Sequence, residues 1–227
     1  MPYRQFEEPL NKTDNYSNRL PKIWLYKTGC VTHISTSREL KIAANLSQSR
    51  AKIFLETRYY MRDALSALFN ISPMEIPITA YPGEPPKLPH GMGYISISHC
   101  KDAFIIGWHK EKIGIDIERS DRNFNHQKLA KKYFYQENIK NHDYNRFSIL
   151  KMWSAIEAAI KYDRGKLSKD IKEWKYQKNK KNLYHESKKI KLNLIQLSFL
   201  EWTITIAIKN KIKYGLPKII CSNISDV

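Results

Sequence analysis

From Ile113 to Glu118 the chain reads Ile, Gly, Ile, Asp, Ile, Glu, and from Ile149 onward apolar residues recur at Trp153, Ile156 and Ile160. The first pattern has a period of two and predicts a strand; the second, stepping by four, three and four, predicts a helix over Phe147 to Tyr162 that stops near Gly165. Alternation sends Ile115 and Ile117 toward a core and leaves Asp116 and Glu118 together on the other face. On the helix, Glu157 and Lys161 sit one turn apart along the border of the apolar stripe.

The same reading extends along the chain. Phe54, Met61, Leu65 and Leu68 form a helical stripe between Ser47 and Phe69, with Ser47 or Ser49 available as a cap. Arg58 falls on that stripe, either as an edge residue reaching for solvent or as a semi-buried cation suited to an anion. Tyr81 to Pro89 is rich in proline and predicts a loop. Strands are expected at Lys22 to Lys27, Tyr94 to Ser98 and Ala103 to His109, and a helix at Phe124 to Tyr135. Further strands are expected at Glu173 to Gln177, Ile190 to Gln196 and Trp202 to Lys209, with a lysine-rich hairpin between the first two. The order helix, loop, strands runs once before about Lys112 and once after it. The expectation is an α+β fold of two similar halves, residues 1–112 and 113–227, each an antiparallel sheet packed with helices.

Composition narrows the class. With 227 residues and 42% hydrophobic content, the chain is long enough to bury a real core. Its formal charge of +17 predicts attraction to anions such as nucleic acid, an acidic membrane, a polyphosphate or an acidic protein. Cys30, Cys100 and Cys221 are widely spaced and show no zinc-ligand pattern, so reduced thiols are expected. No apolar run reaches the roughly 20 residues that cross a bilayer, and the N-terminus has no apolar signal core, which places the expected location in the cytoplasm.

Asp116, Glu118 and Glu157 are the hard oxygen donors that Mg²⁺ prefers alongside a substrate phosphate. The same spacing also suits surface acids and an ordinary helix ion pair worth only about 0.3–0.5 kcal/mol. Tyr94 to Cys100 adds a Ser-x-Ser-His segment in which Ser96 and Ser98 share a face and His99 ends the strand. It follows a Gly-x-Pro loop at Gly83, Glu84 and Pro85.

In order along the chain, an Arg-bearing helix, G-x-P, S-x-S-H, G-x-D-I-E and W-S-x-x-E-x-x-x-K-x-x-x-G-K-L resemble the 4′-phosphopantetheinyl transferases of the larger, Sfp-like class. The resemblance covers roughly Arg50 to Leu167. It implies two pseudo-symmetric halves with the active site in the cleft between them, the first half on the 3′-phosphate and adenine side of coenzyme A and the second on the metal and pyrophosphate side. Asp116, Glu118 and Glu157 are similar to the ligands of Mg²⁺, with Mn²⁺ as the alternative, and Lys161 to the lysine that holds the pyrophosphate. Arg58 and His99, with Ser98 beside them, match groups that contact the 3′-phosphate, and the loop carrying Tyr81, Gly83 and Pro85 matches the one along the adenine.

The implied reaction transfers phosphopantetheine from coenzyme A to a serine of an apo acyl or peptidyl carrier protein and releases 3′,5′-ADP. An acidic carrier suits the basic chain. No nucleic-acid or membrane partner is implied, and two fused halves favour a monomer. Three departures stand out. Ile156 replaces a lysine common before the helix glutamate, and Glu84 replaces a lysine in the loop, with Lys87 as a possible substitute. Asn138 stands where a glutamate base is frequent; either Glu137, one place earlier, takes that role or a metal-bound water does, with Glu157 and Lys161 as the other implied catalytic residues. Two other readings compete: a nucleic-acid-binding protein using the lysine-rich stretch from Lys172 to Lys191 with Trp174, Tyr176 and Tyr184, and a metal-dependent phosphoesterase using the same acids.

Overall fold

The computed structural model describes residues 20–29, 34–79, 81–134, 145–177, 181–212 and 215–222. The described strands are β1 (Lys22–Lys27), β2 (Tyr94–His99), β3 (Ala103–His109), β4 (Ile113–Arg119), β5 (Trp174–Gln177), β6 (Asn182–His185), β7 (Ile190–Phe199), β8 (Trp202–Ile208) and β9 (Ile219–Ser222). The helices are α1 (Ser37–Ala43), α2 (Gln48–Phe69), α3 (His126–Tyr133), α4 (Arg146–Tyr162) and the short α5 (Leu167–Asp170). The fold is α+β with two sheets. One is mixed, in the order β2-β3-β1-β9 with β9 parallel to β1; the other is antiparallel, in the order β4-β8-β7-β6-β5.

Strand alternation builds the layers. Ile23 and Leu25 of β1 join Ile105 of β3 in an apolar cluster with Ile113, Ile115, Ile117, Trp202, Ile204 and Ile206, so the two sheets pack face to face. Trp24, Tyr26, Phe104 and Ile106 look the other way and pack with Tyr60, Met61 and Leu65 of α2. On the far face of the second sheet, Ile149, Ile156 and Ile160 of α4 pack over Leu183, Leu192 and Ala207. The order of layers is helix, sheet, sheet, helix.

β3 and β4, joined by the short connection at 110–112, belong to different sheets, and β9 pairs in parallel with β1, so the first sheet takes a strand from beyond residue 112 and is mixed where an antiparallel sheet is expected. Among the described residues, no helix is long and apolar enough to cross a membrane.

Most expected elements form within a residue or two of their expected ends, and the exceptions are short. α1 was not expected, although Thr36 and Glu39 carry its capping box: Glu39 N donates to the Thr36 hydroxyl at 3.2 Å and Thr36 N to the Glu39 carboxylate at 2.8 Å. β6 lies inside the lysine-rich hairpin, hidden in sequence by its four-residue length. The helix expected at Phe124 to Tyr135 begins at His126, capped by Asn125, whose side chain accepts from Lys128 N at 2.8 Å; Tyr135 lies outside the described residues. Ser47 is the N-cap of α2, with no side-chain cap bond.

Candidate functional site

Helix α4 can approach β4 closely because residue 114 is glycine. A Cβ there would stand 1.9 Å from Ala158 O and 2.5 Å from Tyr162 N, so any side chain would push the helix off the strand. That contact lays Glu157 and Lys161 over the face of β4 that carries Asp116 and Glu118. A buried tie fixes the register: the Ser154 hydroxyl, one turn before Glu157, bonds Thr205 Oγ1 at 2.9 Å, and Thr205 is the cross-strand partner of Asp116.

The result is a compact polar cluster. Lys161 Nζ donates to Asp116 Oδ1 at 2.6 Å and to Ser98 Oγ at 2.7 Å, and lies 3.6 Å from Glu157 Oε2. Ser98 Oγ donates to Asp116 Oδ1 at 2.8 Å, tying β2 of the first sheet to β4 of the second. Glu118 accepts from Arg122 Nη1 at 2.7 Å. Asp116, Glu118, Glu157, Lys161, Ser98, His99, Cys100 and Arg122 all line one cavity of about 1000 Å³. A smaller cavity of about 240 Å³ shares Lys161 and is lined by Gly83, Glu84 and Pro85 of the loop together with Tyr94 and Ser96 of β2.

Electrostatics at this cluster favour added positive charge. Burial, then the charge of Asp116, pushes the Glu157 pKa up to about 7, with Glu118 adding to the shift and Lys161 opposing it. Burial and Asp116 likewise raise Glu118 against the pull of Arg122. Burial works against the Lys161 ammonium, but Asp116 and Glu157 outweigh it and raise its pKa. His99 is lowered by its surroundings and by the Lys161 charge.

Among the described residues, no group of three or more His, Cys, Asp or Glu side chains is arranged to hold a metal ion. The acids are instead engaged by the chain's own cations, Lys161 on Asp116 and Glu157, and Arg122 on Glu118. In donor chemistry they nevertheless fit a divalent cation. Asp116 Oδ2 is buried with no hydrogen-bond partner, an acceptor that a cation would satisfy.

The other expected site residues are distributed unevenly. Gly83 and Pro85 line the smaller cavity, and Gly83 takes φ 81° in the turn that Glu84 N closes onto Tyr81 O at 3.0 Å. Tyr81 lines neither cavity; it is exposed and accepts a hydrogen bond from Arg38. Arg58 also lines neither. It is the semi-buried alternative of the two sequence readings, 5% exposed, its guanidinium 4.4 Å from the Phe54 ring centroid. Burial lowers its pKa to about 10, with Arg62 adding to the shift and Glu39 opposing it.

Lys87 is held in a bridge with Thr79 and lines neither cavity. Ile156 is core, 1% exposed. Glu137 and Asn138 lie outside the described residues. Sequence reasoning missed Arg122, whose spacing of four after Glu118 carried the signal, and the packing role of Gly114. No family model matches the chain, and no curated protein matches it.

Proposed function

We propose that the chain is a 4′-phosphopantetheinyl transferase of the Sfp-like class, which moves the phosphopantetheine arm of coenzyme A onto a serine of an apo acyl or peptidyl carrier protein and releases 3′,5′-ADP. The observation that supports this reading most is the meeting of Asp116, Glu118, Glu157 and Lys161 around one cavity beside Ser98 and His99. Spacing alone allowed those acids to be scattered surface charges. Their convergence with a lysine is what a diphosphate substrate and its cation need.

In this reading the two sheets, each with a helix on its outer face, belong to two related halves, with coenzyme A in the cleft between them. The first half faces the 3′-phosphate and adenine, the second the metal and pyrophosphate. Asp116, Glu118 and Glu157 would hold Mg²⁺, or Mn²⁺ in its place, which when bound neutralises the diphosphate and polarises its phosphorus–oxygen bonds. Lys161 gives its ammonium to the diphosphate oxygens as charge builds on the leaving group.

The carrier serine oxygen attacks the β-phosphorus of coenzyme A. A phosphorus–oxygen bond forms there as the bond to the bridging oxygen breaks, and 3′,5′-ADP departs. Glu137 is the candidate to take the serine proton, with a water on the cation as the alternative. The chain supplies no nucleophile of its own, so catalysis is positioning and charge neutralisation. The excess of basic residues suits an acidic carrier and a polyanionic substrate. The reading is of a cytoplasmic monomer with no nucleic-acid or membrane partner.

The test is to incubate the protein with coenzyme A, Mg²⁺ and a panel of apo carrier proteins and to follow intact mass. The gain of one phosphopantetheine by at least one carrier, lost on adding a chelator, is the expected result. Unmodified carriers throughout, beside a known transferase that modifies them, would reject the proposal.

A further inference from the structure

The line where the two sheets meet holds two buried hydroxyls, of which the acid cluster uses only one. Strand β2 is an edge of the first sheet and β4 an edge of the second. Ile95 and Ile97 of β2 face the core under α2, which puts Ser96 and Ser98 on the opposite face. On that face the neighbouring strands β1 and β3 present Ile23, Leu25, Ala103 and Ile105 to the apolar layer between the sheets. Two serines stand there on β2 instead, each 5% exposed. Apolar side chains would fill such a layer without further demands, whereas a buried hydroxyl needs a hydrogen-bond partner.

Both serines find that partner on β4. Ser98 Oγ donates to Asp116 Oδ1 at 2.8 Å. The Ser96 hydroxyl accepts from Ile115 N at 3.1 Å, taking the place of the ladder bond that an edge strand lacks. Ile115 is 0% exposed, so bulk solvent does not serve that N–H. Gly107, the cross-strand partner of Ser96 on β3, leaves room for the approach: a Cβ there would stand 3.2 Å from the Cδ1 atoms of Ile113 and Ile115. Ser96 therefore grips the main chain one residue before Asp116, while Ser98 grips the Asp116 carboxylate itself.

We infer that Ser96 is a positioning residue for the divalent cation: by holding Ile115 N it fixes where β4 lies against β2, and so how Asp116 presents its oxygens to the larger cavity. This rests on the transferase reading above. Ser98 and Lys161 both engage Oδ1 of Asp116, which leaves Oδ2 for the cation. A shift of β4 away from β2 breaks the Ser98 bond, lets the carboxylate rotate and ends that division between the two oxygens. Groups that orient a metal ligand without touching the metal commonly change its affinity by about tenfold to a hundredfold.

The experiment compares wild type with Ser96→Thr, Ser96→Val and Ser96→Ala by titration with Mn²⁺, with and without coenzyme A, reading the free ion by electron paramagnetic resonance alongside thermal melts. Threonine and valine have the same shape and only threonine keeps the hydroxyl; Ser96→Ala removes the hydroxyl without added bulk. Ser96→Val and Ser96→Ala should each weaken Mn²⁺ about tenfold, and Ser96→Thr should stay within about threefold of wild type. A lower Tm in Ser96→Val and Ser96→Ala with Mn²⁺ affinity unchanged would make Ser96 a structural residue only. Equal losses of Mn²⁺ affinity in Ser96→Thr and Ser96→Val would show that the hydroxyl is not the cause. Either result would overturn this inference and leave the transferase reading standing. Wild type that binds no Mn²⁺, with or without coenzyme A, would overturn both.

Discussion

The face of β4 under α4 and the region around α2 and the Tyr81 to Pro86 loop carry comparable numbers of expected site residues, yet they behave differently. On β4 and α4 all four expected groups, Asp116, Glu118, Glu157 and Lys161, line one cavity. Around α2 and the loop, Gly83 and Pro85 line the smaller cavity, whereas Arg58 is buried against Phe54 and Tyr81 points elsewhere. The pleat and the helical turn dictate where a side chain goes once an element forms, and Gly114 sets the distance between the two elements. A loop has no such rule, and a residue on a buried stripe is claimed by its core neighbours.

The largest expected effect lies in the converging region. Asp116→Asn and Glu157→Gln should each lower phosphopantetheine transfer about 10³-fold or more, the scale of losing charge stabilisation at a reacting diphosphate, while circular dichroism stays native. Transfer within tenfold of wild type in both variants would separate the cluster from the chemistry. Gly114→Ala comes next. Overpacking costs about 1–3 kcal/mol, each kcal/mol lowering Tm by about 2–4 °C at this length, and transfer should fall further than Tm explains because Glu157 and Lys161 move off β4. An unchanged melt would mean that the close approach is not required.

The contrast sharpens with His99 and Arg58. His99 lines the larger cavity, so His99→Ala should weaken coenzyme A about tenfold while barely changing dephospho-coenzyme A, as removal of one charge-assisted contact would. Arg58→Ala should act mainly on stability, by about 1–3 kcal/mol through lost packing and any hydrogen-bond partner left buried. A selective loss of coenzyme A affinity in Arg58→Ala, with Tm unchanged, would return Arg58 to the ligand.

The smallest effect is a pH dependence. Glu157 is raised in the folded chain from 4.5 to about 7, so between those values the folded state binds more protons than the unfolded one. Stability from this group is therefore full below pH 4.5 and is lost as pH rises toward 7. A divalent cation favours the ionised carboxylate and should restore stability most where Glu157 has lost its proton. The Tm gain from Mn²⁺ should thus be larger at pH 8 than at pH 5.5, and Glu157→Gln should shrink that difference. Equal gains at both pH values in wild type would contradict the coupling.

Much of the molecule was legible in the chain because its strands are marked by apolar residues in two recognisable patterns. Lys22–Lys27 and Ala103–His109 are near-continuous apolar runs whose alternate residues enter two different cores, whereas Ile113–Arg119 alternates, its isoleucines entering one core and Asp116 and Glu118 lying on the other face. What escaped was short or non-local. α1, β6 and β9 span four to seven residues and draw their stability from neighbours distant in sequence, as when β9 pairs with β1. The acid cluster was legible as spacing alone. That Ser98 bonds Asp116 and Arg122 holds Glu118 depends on how β2, β4 and the following turn come together, which period does not reveal.

The central claim, that the three carboxylates and Lys161 grip a diphosphate through a divalent cation, is tested most directly by titrating coenzyme A into the protein with Mg²⁺ and again with a chelator, in wild type and in Asp116→Asn. The account predicts at least tenfold tighter binding with Mg²⁺ in wild type and no such gain in the variant. Equal affinity with and without the metal in wild type, or the same metal-dependent gain in Asp116→Asn, would contradict it.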